Sequence, residues 1–257
     1  MKIATIGDIH GHSSWKALIE GYDPDTNTGT KYHIDQFDKV IFIGDYVDSF
    51  SVDNLSMKHN LIEIIELKKK HLDKIILLLG NHDLQYLLGF KNHGCSGYRP
   101  EMSSDFADIF RNNRKIFIAA FQYKNYIWTH AGIHIGWYKM KLEPWIKEFK
   151  KNEDVYLESF DIKKEDDSIA FWINTAFKMN KQFLFDVGYI RCGRADVGGP
   201  FWLDKNNGYK KPLEGYHQIV GHTVVDTIKV FEKDENTSIT FIDCLGKDIY
   251  NFHIIDI

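Results

Sequence analysis

The chain has 257 residues, a formal net charge of −4, and 26% charged and 44% hydrophobic residues. Those proportions exclude a basic nucleic-acid-binding protein and a disordered low-complexity chain, and they leave room for a sizeable buried core. Three scattered cysteines, Cys95, Cys192 and Cys244, have no CxxC spacing, which makes a poor disulfide framework and points to a reducing, cytoplasmic setting.

The first residues, Met1 to Gly7, read as a short strand running directly into acidic residues rather than as a signal peptide. No segment reaches the apolar length of a membrane span. Apolar runs rich in β-branched residues recur at Lys2–Ile6, Val40–Ile43, Ile75–Leu79, Tyr126–Thr129 and Gln218–Val220. Two more, Thr237–Asp243 and Tyr250–Ile255, follow near the end, and all are expected to be buried strands. Stretches of helical period separate them: Ser13–Glu20, Leu55–Leu72, Ser103–Asn112, Trp137–Lys150 and Asp167–Asn180. Ser13 and Ser103 are expected N-caps. The alternation predicts an α/β layered domain, with a second sheet packed on the first and helices outside both. Two excursions, Tyr22–Phe37 and Lys181–Leu213, carry turn residues and read as long loops suited to substrate contact.

Five short blocks each place a metal-binding side chain just after an apolar run. They are Gly7-Asp8-Ile9-His10-Gly11, Gly44-Asp45-Tyr46-Val47-Asp48, Gly80-Asn81-His82-Asp83, Thr129-His130-Ala131-Gly132 and Gly221-His222-Thr223. Each alone has an ordinary explanation as a turn, a helix cap or a structural histidine. Their joint occurrence at strand ends points instead to a two-metal phosphate-ester hydrolase. Such chemistry needs an acidified water, charge neutralisation on the phosphoryl oxygens and a proton for the leaving oxygen. Two divalent cations roughly 3.5–4 Å apart supply the first two.

Asp8 and His10, with a one-residue gap between flexible glycines, are expected to reach one ion. Asp45 is the natural bridging carboxylate. Asn81 offers an amide oxygen that suits a hard cation without adding charge. His130 and His222 complete the second ion. His82 directly follows a proposed ligand and is the candidate general acid, with Asp48 as the carboxylate that orients it. His12, His59, His93, His134, His217 and His253 lack a matching block and read as structural or solvated. Lys68-Lys69-Lys70 reads as a solvated helix end, and Trp128, Trp172 and Trp202 as core.

With these residues in view, the chain resembles the calcineurin-like metallophosphoesterases, most closely their phosphoprotein-phosphatase branch. The matching blocks span residues 7 to 223. The resemblance implies a single domain over residues 1–257 with a four-layer αββα sandwich. It implies Asp8, His10 and Asp45 on one ion, and Asp45, Asn81, His130 and His222 on the other. It also implies a His82–Asp48 proton-donating dyad, and two divalent metals, manganese foremost, with iron or zinc as alternatives.

Several positions depart from the branch. Its members usually carry Arg after the residue matching Asp48, where this chain has Ser49, and Glu after the one matching His82, where it has Asp83. The missing Arg would grip phosphate with a planar fork. Arg191 or Arg194 in the long loop are the candidate replacements, with Arg99 a weaker one. The segment Gly198-Gly199-Pro200-Phe201-Trp202-Leu203-Asp204 resembles a Gly-Pro-aromatic block of bacterial members, with Asp204 where many have Arg. Gly221-His222-Thr223-Val224 lacks the second His of nuclease members, which favours phosphatases and dinucleoside-polyphosphate hydrolases.

The leading expectation is a phosphatase of phosphate monoesters, with phosphorylated Ser or Thr in proteins as a substrate class. The attacking group is expected to be a water shared by the two cations. The alternatives are a dinucleoside polyphosphate (phosphoanhydride) hydrolase and a non-catalytic metal-containing binding protein. No nucleic-acid or membrane partner is expected.

Overall fold

The computed structural model describes residues 1–23, 28–29, 31–88, 94–244 and 252–257. It divides into two compact units, one of residues 1–118, 224–229 and 241–257, the other of residues 119–223 and 230–240.

The first unit is built on a five-stranded sheet. Its chain order runs β1 (Lys2–Ile6), α1 (Lys16–Ile19), a short hairpin β2 (Tyr22–Asp23) and β3 (Thr28–Gly29), then β4 (Lys39–Phe42). Next come α2 (Asn54–Lys70), β5 (Ile75–Leu78), α3 (Asn81–Leu87), α4 (Ser103–Asn112) and β6 (Phe117–Ile118). The strand His253–Asp256 closes the sheet, whose order is closing strand, β1, β4, β5, β6. β1, β4, β5 and β6 are parallel, and the closing strand runs antiparallel to β1. Ile3, Ile6, Val40, Ile41, Phe42, Leu77 and Leu78 are all buried. Central parallel strands are covered on both faces, which is why they appear in the sequence as unbroken apolar runs. The register pairs Ile6 with Phe42 and Phe42 with Leu77. Their C-terminal ends therefore lie side by side, and the loops carrying Asp8, Asp45 and Asn81 leave from one edge of the sheet.

Against that sheet α2 buries Met57, Leu61, Ile64 and Ile65. Trp15 Nε1 donates to Asn60 Oδ1 at 2.8 Å, tying the start of α1 to α2. Lys68 is more than a solvated end: its ammonium donates to the carbonyls of Leu72 and, at 2.8 Å, Ile75, and partial burial pulls its pKa down.

The second unit also carries a five-stranded sheet. β7 (Ala120–Tyr123) and β8 (Tyr126–Thr129) form a hairpin. β9 (His217–Val220) lies parallel to β8, and β10 (Lys229–Asp234) and β11 (Thr237–Phe241) complete the order β10, β11, β9, β8, β7. Its helices are α5 (Ile135–Trp137), α6 (Glu143–Phe149), α7 (Glu153–Ser159), α8 (Ile169–Lys178) and α9 (Lys205–Lys210).

The expected α/β class holds, with two mixed sheets and helices. Both expected serine caps are wrong. Ser103 lies inside α4, where a preceding turn Pro100–Met102 feeds the helix, and α1 starts only at Lys16. Side-chain caps are instead Asp53, which accepts from Leu55 and Ser56, and Ser168, which accepts from Phe171. The expected helix Trp137–Lys150 is interrupted by a π-turn at Tyr138–Leu142 before Pro144, which fits only the first turn of a new helix. Tyr250 and Asn251, expected at the start of the last strand, and His93 lie outside the described residues.

His253 in the closing strand opposes Thr5 of β1. Burial pushes its pKa from the ordinary 6.5 down to about 4, and its Nδ1 finds no hydrogen-bond partner among the described residues. The folded state favours the neutral ring, so the unfolded chain binds the extra proton between these two values. The contribution of His253 is complete above pH 6.5 and is lost as the pH drops towards 4, on the order of 3 kcal/mol. His253→Phe is expected to flatten this part of the acid dependence. Denaturation midpoints measured across that range check it, and parallel slopes for variant and parent would count against it.

Candidate active site

In the first unit the loops after β1 and β4 are stitched together by backbone. Ile9 and His10 both donate to the Asp45 carbonyl, at 3.1 and 2.7 Å, and Gly11 donates to that of Tyr46 at 3.0 Å. Gly44 has φ +109°, and a Cβ there would lie 2.4 Å from the Gly80 nitrogen, so only glycine lets the second and third loops approach this closely. His10, Asp45 and Asp48 themselves hold φ of +42°, +52° and +67°. Such conformations cost a non-glycine residue about 1–3 kcal/mol each, and persist where surrounding bonds fix them.

Asp83 supplies that restraint at Asp45. It is fully buried at the first turn of α3, and its carboxylate accepts from the backbone N–H groups of Asp45 (2.9 Å), Tyr46 (2.8 Å) and Gly80 (2.8 Å). In the sequence it appeared only as a conservative replacement for Glu. Tyr46 is also buried, donating to the Leu78 carbonyl at 2.9 Å. Burial, then the charges of Asp83 and Asp45, push its phenol pKa well up.

Ligand-capable atoms of His10, Asp45 and His82 all lie within 4.8 Å of one another. His10 Nδ1 sits 3.0 Å from the Val47 carbonyl, which can only accept, so Nδ1 carries the proton. Nε2 lies 3.9 Å from Asp45 Oδ2. An imidazole beside a carboxylate that is 2% exposed is a donor set that fits a divalent cation. Asp8 is buried one residue beyond Gly7 at the same sheet edge. Asn81 opens α3, and its Nδ2 donates to Cys95 Sγ at 3.1 Å. Burial, then Asp45, pushes the Cys95 thiol far above its usual range, so it stays a neutral S–H.

His82 is fixed at two points. Its backbone N–H donates to Asp45 Oδ1 at 2.9 Å, and its Nδ1 lies 3.0 Å from Asp48 Oδ2. Asp48 is 1% exposed and also accepts from Gln85 Nε2 and the Tyr86 hydroxyl. Burial, then the bond to Asp48, raises the Tyr86 pKa, so the phenol remains a donor. Gln85 and Tyr86 were not singled out in the sequence. The signal was available: they sit three and four residues after His82 on one short helix, a spacing that returns side chains to the same face.

Ser49 stands where an arginine was expected, and its side chain is occupied. Its Oγ accepts from the backbone of Ser51 and Val52, at 3.2 and 3.1 Å. The Ser49 carbonyl accepts from Arg99 Nη2.

In the second unit β8 and β9 again run parallel, and their ends carry His130 and His222. Gly221 donates to the His130 carbonyl at 2.8 Å, and the two imidazoles meet edge-on with centroids 5.1 Å apart. His130 is fully buried, and His222 holds a φ of +65°. Trp202 packs edge-on against His222 at 5.7 Å and is only partly buried, so this indole lies beside the histidine pair rather than wholly in the core. Arg191 Nη2 donates to Thr223 Oγ1 at 2.7 Å, one residue beyond His222, and its Nε lies 2.9 Å from Asp204 Oδ2. Asp204, which replaces an expected arginine, thus holds one. Arg194 lines a different surface, a cavity of about 310 Å³ shared with Trp137, Lys141 and Asp186.

The family model for calcineurin-like phosphoesterases matches residues 1–226. The chain belongs to the calcineurin-like phosphoesterases. A comparison with curated protein sequences finds no match. Among solved structures, a protein serine/threonine phosphatase from Saccharomyces cerevisiae, described as similar to the human phosphatase PP5, is alike at a TM-score of 0.50 and 15% identity. The likeness covers 94% of this chain but 66% of that one, less than two thirds of its length. At that identity it shows the fold, and the metallophosphoesterase architecture agrees with the two mixed sheets seen here. No helix among the described residues is long and apolar enough to cross a membrane.

Proposed function

We propose that this calcineurin-like phosphoesterase is a metal-dependent phosphatase of phosphate monoesters, with phosphorylated Ser or Thr of proteins as its substrate class. The observation that carries the reading is the His82–Asp48 pair, 3.0 Å apart, set beside the ligand-capable His10 and Asp45. In this reading Asp8, His10 and Asp45 hold one divalent cation, and Asp45, Asn81, His130 and His222 hold the second. Manganese is the foremost metal, with iron or zinc as alternatives. When bound, the cations supply an acidified water and neutralise charge on the phosphoryl oxygens.

The chain's own groups do the rest. Asp48 accepts from His82 Nδ1–H and fixes the ring, so that Nε2 is the nitrogen that would protonate the departing oxygen. Arg191 has its Nε beside Asp204 and one Nη2 hydrogen on Thr223, which leaves the Nη edge of the guanidinium for phosphoryl oxygens. The intact dyad speaks for catalysis over a purely metal-binding role. The cytoplasmic setting suggested by the cysteines belongs to the same reading; Cys95, Cys192 and Cys244 are all free thiols.

A second substrate class is a dinucleoside polyphosphate or other phosphoanhydride: Gly221-His222-Thr223-Val224 fits either class, and Ser49 in place of the branch's Arg counts against an ordinary protein phosphatase. Rates on a phosphopeptide and on diadenosine tetraphosphate separate the two. Chelator-stripped protein is expected to lose all turnover and to regain it with manganese. Full activity in demonstrably metal-free protein would refute the metal-dependent reading.

A further inference from the structure

We propose that Gln85 ties the orientation of Asn81 to that of the Asp48–His82 pair through its single carboxamide. The inference rests on the reading of His82 as proton donor and of Asn81 as an amide-oxygen ligand.

Gln85 is 6% exposed and lies four residues after Asn81 on α3, one turn away on the same face. Its Nε2 donates to Asp48 Oδ2, the oxygen that also faces His82 Nδ1. Its Oε1 accepts the backbone N–H of Cys95 at 3.1 Å. A carboxylate on one side accepts only, and an N–H on the other donates only, so the carboxamide has one permitted orientation. Cys95 then accepts from Asn81 Nδ2 at 3.1 Å. That bond turns Nδ2 towards sulfur and so fixes which way the Asn81 amide faces. The path Asn81, Cys95, Gln85, Asp48, His82 thus joins the ligand that opens α3 to the proton donor beside it. The segment is pressed close: Gly97 has φ +80°, and a Cβ there would lie 3.2 Å from the Asp48 carbonyl oxygen. Buried polar chains of this kind hold a single geometry when every member is satisfied.

The test is Gln85→Met, which keeps length and removes both bonds. Turnover on an alkyl phosphate is expected to fall roughly 10–100-fold, the range for groups that orient a ligand or catalyst, against less than about 3-fold on p-nitrophenyl phosphate. Manganese affinity, measured by calorimetry without substrate, is expected to fall several-fold. In a His82→Asn background Gln85→Met should add no further leaving-group discrimination but still weaken manganese binding. Cys95→Ser keeps an acceptor for Asn81 and should retain parental affinity, whereas Cys95→Ala should not. Equal losses on both substrates, or unchanged manganese affinity in Gln85→Met and Cys95→Ala, would overturn the tie. If His82→Asn itself shows no leaving-group preference, the reading of His82 fails instead, and the manganese arm still decides the link from Gln85 to Asn81.

Discussion

Asp83→Ala is expected to lower the unfolding free energy by about 4–5 kcal/mol, in the exceptional range for one substitution. Three buried backbone donors, on Asp45, Tyr46 and Gly80, converge on this carboxylate at 2.8–2.9 Å. Each buried N–H left without a partner costs on the order of 1–3 kcal/mol. A favourable charge at the first turn of α3 is lost as well. The damage does not stay local, because Asp83 restrains the positive-φ residue Asp45, and Asp45 in turn receives the His82 backbone N–H. For a domain of this size the fall in Tm is on the order of 10 °C. Manganese affinity should fall in parallel. Asp83→Asn keeps one accepting oxygen and should lose clearly less. Chemical denaturation of both variants gives the answer; a loss below about 1 kcal/mol for Asp83→Ala would mean that water replaces the carboxylate and that the anchor is dispensable.

The same residue shows where reading the sequence runs out. The central strands β1, β4, β5, β8 and β9 were legible because burial on both faces writes a continuous apolar run. Strands β6, β7 and β10 were missed. β10 is largely exposed, and β6 has only two residues, so neither leaves a pattern of useful length. The ligand-type residues were legible because a strand end followed by Asp, Asn or His beside glycine is a local pattern. The groups that hold them were not. Asp83 binds backbone N–H groups 38 positions away at Asp45 and 37 away at Tyr46. Such pairings follow from strand register, which no single segment encodes. Arg191 and Arg194 sit three apart in one loop and could not be ranked from sequence. Asp204 and Thr223 hold Arg191 near His222 while Arg194 lines a separate cavity, a difference made by contacts distant in sequence.

His82→Asn is expected to reduce turnover on an alkyl phosphate by roughly 10²–10⁴-fold, the usual contribution of a positioned general acid. On p-nitrophenyl phosphate, whose leaving group departs without help, the loss should stay within about 10-fold. The asymmetry follows from the role: the proton matters in proportion to the basicity of the oxygen it neutralises. Metal content decides a rival explanation that the geometry itself raises. His82 lies within 4.8 Å of His10 and Asp45 in ligand-capable atoms, and a carboxylate such as Asp48 on the far nitrogen is also how metal-bound imidazoles are held. A ligand would be lost with its ion, and both substrates would then suffer alike. A proton donor leaves manganese stoichiometry unchanged. The fixed backbone of His82 favours the donor: its N–H already uses Asp45 Oδ1 at 2.9 Å, so the residue is anchored to the carboxylate through its main chain, and its ring is aligned by Asp48. Removal of the ring then leaves the Asp45 contact in place, and the variant should bind manganese as the parent does while losing only the reaction that needs a proton.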